Sequence, residues 1–142
     1  MTKAAELIEL YQMLPHPEGG HFKETYRSQE VTQTSRGERS VATGIFYLLE
    51  EGQRSSLHRI KSDEMWHFYA GDPLVVYEKA SDGTIKETIL GTDFKSGQLC
   101  QYVVPAGAWF GAYLAPGSQY AFVGCTVSPG FDFNDFELAT KE

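Results

Sequence analysis

The chain has 142 residues, room for one domain and too few for two ordinary ones. With 42% hydrophobic and 22% charged residues it belongs with globular proteins, outside the disordered and fibrous classes. A formal net charge of −7, with no Lys/Arg cluster, argues against nucleic acid and against an anionic membrane surface as partners.

The first segment, Met1 to Leu14, has a helical period. Leu7, Leu10, Tyr11 and Leu14 recur at helical spacing and Thr2 is placed to cap the start. This is not an unbroken apolar leader, so the chain reads as cytoplasmic. Pro15 and Pro17 are expected to stop the helix, because each lacks an N–H and constrains its predecessor. His16-Pro17-Glu18-Gly19-Gly20 then makes a tight connecting turn, where backbone or capping roles are expected for His16 and His21.

From His21 onward the pattern is one of strands. Phe22, Glu24 and Tyr26 share one parity, and Lys23, Thr25 and Arg27 the other. A polar loop over Ser28–Gly37 leads to the run Val41–Leu49, rich in β-branched and aromatic residues. Further strands are expected around Ser56–Ile60, Met65–Tyr69, Leu74–Glu78, Leu99–Val104, Ala108–Leu114 and Tyr120–Val127. Asp82-Gly83 marks a hairpin between Val75–Lys79 and Ile85–Leu90. Cys100 and Cys125 lie in apolar runs without zinc-ligand spacing and read as two buried free thiols. Phe131, Phe133 and Phe136, alternating with Asp132, Asp135 and Glu137, fit an amphipathic strand or turn. About nine short strands at near-regular spacing argue for an all-β antiparallel sandwich or barrel, with no place for a Rossmann or P-loop site.

Two stretches are more specific. Gly52, His58, Ile60, Glu64 and Gly71 resemble the first cupin motif, with Ile60 where that motif has its second histidine. Gly97, Pro105, Gly107 and Phe110 resemble the second, with Phe110 in place of the third histidine. The blocks His16–Gly20, Thr25–Ser28, Ser62–Tyr69, Val104–Gly111 and Gly124–Phe133 narrow the resemblance to the uncharacterised cupin-five family, a domain of unknown function. The resemblance implies a cupin double-stranded β-helix, or jelly-roll barrel, similar to that of the sugar-nucleotide epimerases of the superfamily. It also implies a homodimer. On this reading residues 1–142 form one domain, with the helix and connecting turn at 1–20 and the barrel at 21–138.

If the cupin geometry holds, His58 and Glu64 point into the barrel. They form either a mutual hydrogen bond without chemistry or an acid–base pair, in which His58 moves the proton and Glu64 orients it. Trp66, Phe68 and Phe110 are core filling or shape an apolar pocket for a flat ring. His67 has the opposite parity to Glu64 and reaches the interior only through a bulge. Tyr26 and Arg27 are candidate ligand contacts. Arg59 and Lys23 are further anchors for an anionic group, against the plainer role of solvated charges. No cofactor is expected. A metal, if any, would rest on His58 and Glu64, too few donors for a tight site of the usual kind. The expected partner is a small organic molecule, sugar-like or nucleotide-like, bound in the barrel with metal-independent isomerase or epimerase chemistry. The alternatives are a metal-dependent cupin enzyme with a reduced ligand set and a non-catalytic sensor.

Overall fold

The computed structural model describes residues 1–140. Helix α1 (Lys3–Tyr11) is capped by the Thr2 hydroxyl, which accepts from the Ala5 N–H at 3.1 Å. It is followed by β1 (Leu14–Pro15), β2 (His21–Arg27), β3 (Val31–Thr34), β4 (Gly37–Ser40), β5 (Thr43–Glu50), β6 (Arg54–Arg59) and β7 (Asp63–Gly71). Then come β8 (Leu74–Lys79), β9 (Ile85–Leu90), β10 (Gln101–Val104), β11 (Trp109–Leu114), β12 (Tyr120–Ser128) and β13 (Glu137–Leu138).

The strands form two facing antiparallel sheets. One has the order β1-β2-β5-β12-β7-β10 and the other β13-β6-β11-β8-β9. Sequence neighbours are often apart in the sheets, as in β5-β12-β7, and this gives the jelly-roll winding. Asp82-Gly83 closes the β8–β9 hairpin, with Gly83 at φ +89°, a conformation that glycine adopts without strain.

Two apolar layers explain the composition of the strands. Tyr47, Leu49, Trp66, Val76, Phe110 and Val123 are among the side chains packed between the sheets. On the outer face of the six-stranded sheet, α1 lays Ala4, Leu7 and Ile8 against Leu48 and Phe122. β5 is thus covered on both faces, so it reads as a nearly unbroken apolar run instead of alternating.

The structure differs from the sequence expectations at three places. The helix ends at Gln12, which is left-handed at φ 53°, before either proline. Leu10 and Leu14 are exposed, so the buried helical stripe is Ala4, Leu7 and Ile8. The polar stretch after Ser28 is a β3–β4 hairpin whose alternating polar residues need only one covered face. Cys125 is buried but Cys100 is exposed, because it precedes β10 at the sheet edge; both thiols are free. No helix among the described residues is long and apolar enough to cross a membrane.

The connecting turn lies against β6. The Ser56 N–H donates to the Glu18 carbonyl at 2.7 Å, and the Tyr47 hydroxyl donates to the Gly19 carbonyl at 2.5 Å. Gly19 has φ +111°, and a Cβ there would lie 2.0 Å from the Arg54 carbonyl oxygen. Gly19→Ala is therefore expected to cost about 1–3 kcal/mol or more of stability, read as a lower urea midpoint. A midpoint equal to wild type would mean that the turn does not need this approach.

Candidate functional site

Between the sheets, at the end where the connecting turn meets β6, lies a cavity of about 360 Å³. Its polar end is built from four titratable side chains: His16 and Glu18 from the turn, His58 from β6 and Glu64 from β7. Thr43 and Cys125 complete that end, and Phe22, Ile45, Ile60 and Val127 make an apolar wall.

The opposite wall comes from residues 129–138, a strap that leaves β12 and returns to pair with β6. It contributes Phe131, Phe133 and Phe136, whose ring centroids lie 4.8, 5.9 and 6.2 Å apart. The strap is tied at several points. The Gly130 N–H donates to the Ser40 carbonyl at 2.7 Å, and the Phe131 N–H to the Thr43 hydroxyl at 2.9 Å. The Arg39 guanidinium grips both carboxylate oxygens of buried Asp135, at 2.9 and 3.0 Å. Those hydrogen bonds hold the Asp135 carboxyl below the usual range.

Glu18 is the hub. Its carboxylate accepts from the Ser55 hydroxyl, one oxygen lies 3.5 Å from His58 Nε2, and the other 3.3 Å from His16 Nδ1. Burial pushes the Glu18 carboxyl up to about 8, against the opposing pull of the Ser55 hydrogen bond. Burial also lowers both imidazoles, His16 to about 4 with a further push from His58. All three groups are therefore chiefly neutral at pH 7, and their contacts are polar contacts of neutral groups instead of ion pairs.

The tautomer of His58 follows from its neighbours. Nδ1 lies 2.7 Å from the Ser56 carbonyl, which can only accept, so Nδ1 carries the proton and Nε2 faces Glu18 as an acceptor. Glu64 is buried opposite and hydrogen bonds the Cys125 thiol. Burial, with the nearby Glu18 adding to it, raises the Glu64 carboxyl to about 7.

Of the residues singled out from sequence, His58, Glu64 and Arg27 line this cavity. His58 and Glu64 share it without a direct hydrogen bond among those seen for the described residues; the near neighbour of His58 Nε2 is Glu18. Trp66 and Phe110 are fully buried behind the cavity, Phe110 with its ring 4.2 Å from that of His58, and Phe68 packs against the same core. His67 faces the other side of its sheet, 2.9 Å from the Thr126 hydroxyl and stacked on Tyr69. Tyr26 is exposed, because the register shift between Glu24 and Tyr26 turns Arg27 toward the mouth instead. Arg59 is engaged with Glu137 at 2.8 Å and lies over Trp109, away from the cavity, and Lys23 is not among the lining residues.

His16, Glu18 and the strap phenylalanines were missed as site residues. For His16 and Glu18 the available signal was the His-x-Glu-Gly-Gly block, whose glycines hinted at a close backbone approach. The strap carried none beyond its aromatic density.

A metal centre of the cupin kind does not fit these residues. The positions that would supply two imidazoles hold Ile60 and Phe110, which have no donor atoms and are buried. Among the described residues, no three His, Cys, Asp or Glu side chains converge as a metal site.

The facing sheets and the pocket between them define a cupin barrel. Residues 5–139 match the family model described as Cupin superfamily (DUF985), and the chain belongs to that family. It is 32% identical to an uncharacterized protein of Saccharomyces cerevisiae, over 96% of this chain and 75% of that one. A hypothetical protein from Leishmania major superposes with a TM-score of 0.91 at 36% identity, covering 98% of this chain and 88% of that chain. Oxalate decarboxylase from Lactobacillus farciminis superposes at 0.63 and 20% identity, over 90% of this chain and 33% of that one, which speaks for the fold alone.

The shifted groups give stability a definite pH dependence. A carboxyl raised in the folded state stabilises fully below its unfolded value of 4.5 and loses that contribution as pH rises toward about 8. The lowered imidazoles act oppositely, costing stability as pH falls below 6.5. Between pH 6.5 and 8.5 the carboxyl effect stands alone, so the urea midpoint is expected to fall, by on the order of 2 kcal/mol in stability. Glu18→Gln is expected to remove most of that slope. An unchanged slope in the variant would mean that Glu18 is ionised in the folded protein.

Proposed function

We propose that the cavity binds a small organic molecule with a sugar-like or nucleotide-like ring and moves a proton on it, as an isomerase or epimerase does, without a metal. The observation that carries this reading is the set of buried acid–base groups around one cavity, with carboxyls at about 8 and about 7 beside a neutral imidazole. Groups poised near neutrality can both give and take protons at working pH. The volume suits one ring rather than a whole sugar nucleotide, and the aromatic walls suit its flat face.

In this reading Glu64, partly ionised at pH 7, takes a proton from the carbon beside a carbonyl. Glu18, largely protonated, donates to the carbonyl oxygen. His58 Nε2 faces Glu18 and exchanges a proton with it, while the Ser56 carbonyl holds the ring in place. Return of both protons gives the isomer with no net change in atoms. A soluble, cytoplasmic setting and a homodimer, the common form of such barrels, complete the proposal. A non-catalytic binding module is the competing reading.

The test is to screen monosaccharides, nucleosides and flat heterocycles for a rise in Tm, then follow hits by NMR in D2O for deuterium beside the carbonyl. His58→Ala and Glu64→Gln are each expected to slow exchange by about 100-fold or more. The pH profile of kcat/KM should be a bell between about 7 and about 8, its limbs belonging to the coupled carboxyls as a pair. Hits that stabilise the wild type without any exchange would establish the binding module instead. A His58→Ala protein that exchanges normally would remove the mechanism.

A further inference from the structure

The polar end of the cavity presents two carboxyls, Glu18 and Glu64, to a ligand and little that is cationic. His16 Nδ1 is taken by the Glu18 N–H at 3.1 Å, so the proton of the neutral ring sits on Nε2. The one proton of neutral His58 is engaged at Nδ1 by the Ser56 carbonyl, leaving Nε2 as an acceptor. Buried Glu64 lines the cavity and is matched, among the described residues, by the Cys125 thiol, a weak donor. Among the described residues no stronger donor is seen on its remaining lone pairs.

Among the described lining residues there is no lysine, and Arg27 is the one arginine. Its guanidinium is held at the mouth by Glu24, at 2.6 and 3.3 Å, and by the Phe131 carbonyl at 3.1 Å. Glu24 and Asp132, also lining the cavity, leave its rim net negative, as the whole chain is at −7.

The aromatic wall reaches this carboxyl-bearing end. The Phe136 ring lies 5.4 Å from the His58 ring, and the Phe22 ring 4.7 Å from that of His16. Ring faces beside carboxyl oxygens are the chemistry that holds an organic cation, through the ring quadrupole and through charge-assisted hydrogen bonds.

We infer that the ligand carries a protonated amine on its ring, with the ammonium seated between Glu18 and Glu64 and the ring against Phe131, Phe133 and Phe136. This rests on the reading of the cavity as a ligand site and narrows it to an amino-bearing ring compound. A carboxylate or phosphate in the same place would find no cation among the described lining residues but Arg27, already held at the mouth, whereas an ammonium favours ionisation of the carboxyls beside it.

The test uses three probes of one shape, benzylamine, benzyl alcohol and benzoate, each titrated into the full chain at pH 7 by calorimetry. Benzylamine, charged at this pH, is expected to bind at least tenfold more tightly than benzyl alcohol, and benzoate not measurably. Glu64→Gln, which keeps the shape, is expected to abolish the preference for benzylamine over benzyl alcohol. Glu18→Gln provides a second, independent variant should Glu64→Gln fail to fold. Benzyl alcohol or benzoate binding as tightly as benzylamine would overturn the inference and leave the cavity a ligand site. A preference that survives in both variants would also overturn it. Binding of none of the three probes would remove both the inference and the proposed function beneath it.

Discussion

The polar half of the barrel depends on the seam between the connecting turn and β6. There the Ser56 N–H meets the Glu18 carbonyl, and the Tyr47 hydroxyl meets the Gly19 carbonyl. The seam forms only because residue 19 has no side chain to strike the Arg54 carbonyl. Once formed, it places the Glu18 carboxyl beside His58 and Ser55, deep enough that water cannot solvate a charge there. The neutrality of Glu18 follows from that placement, while the Ser56 carbonyl fixes the tautomer of His58.

The unusual ionisation here is chiefly a matter of solvation. Glu18 and Glu64 are pushed up by burial first, and by each other's proximity second in the case of Glu64. The imidazoles are too buried to serve as compensating cations. A buried carboxyl beside a charged histidine would form a static pair and hold its proton poorly as an acid. With neutral histidines, Glu18 keeps its proton at neutral pH and Glu64 is partly ionised there.

The fold was legible in the sequence because its signals are local. Asp82-Gly83 demanded a hairpin, Pro105 and Gly107 a turn, and Thr2 a helix start. The family motif spacing around His58 and Glu64 placed both in the interior. The partnership among the polar groups was not legible, since Glu18 meets His58 across forty positions through a backbone contact that leaves no periodicity. Of the two candidate contacts on β2, Arg27 lines the mouth and Tyr26 does not, because the register shift between Glu24 and Tyr26 sets which of them faces it. The β3–β4 hairpin was hidden for a different reason: polar on most positions, it lacks the apolar alternation that marks a half-buried strand.

The strap that carries Phe131, Phe133 and Phe136 lies outside the main hydrogen-bonded ladders, apart from the two-residue pairing of β13 with β6. Side-chain clamps such as Arg39 on Asp135 fasten it. Its length and aromatic content can therefore change without shifting the register of any long strand, while the acid–base end remains on the rigid sheets and the glycine seam. The two halves of the cavity are built as separable parts. Divergence in ten residues can thus reshape one wall of the cavity while the buried carboxyls and imidazoles behind it stay in place.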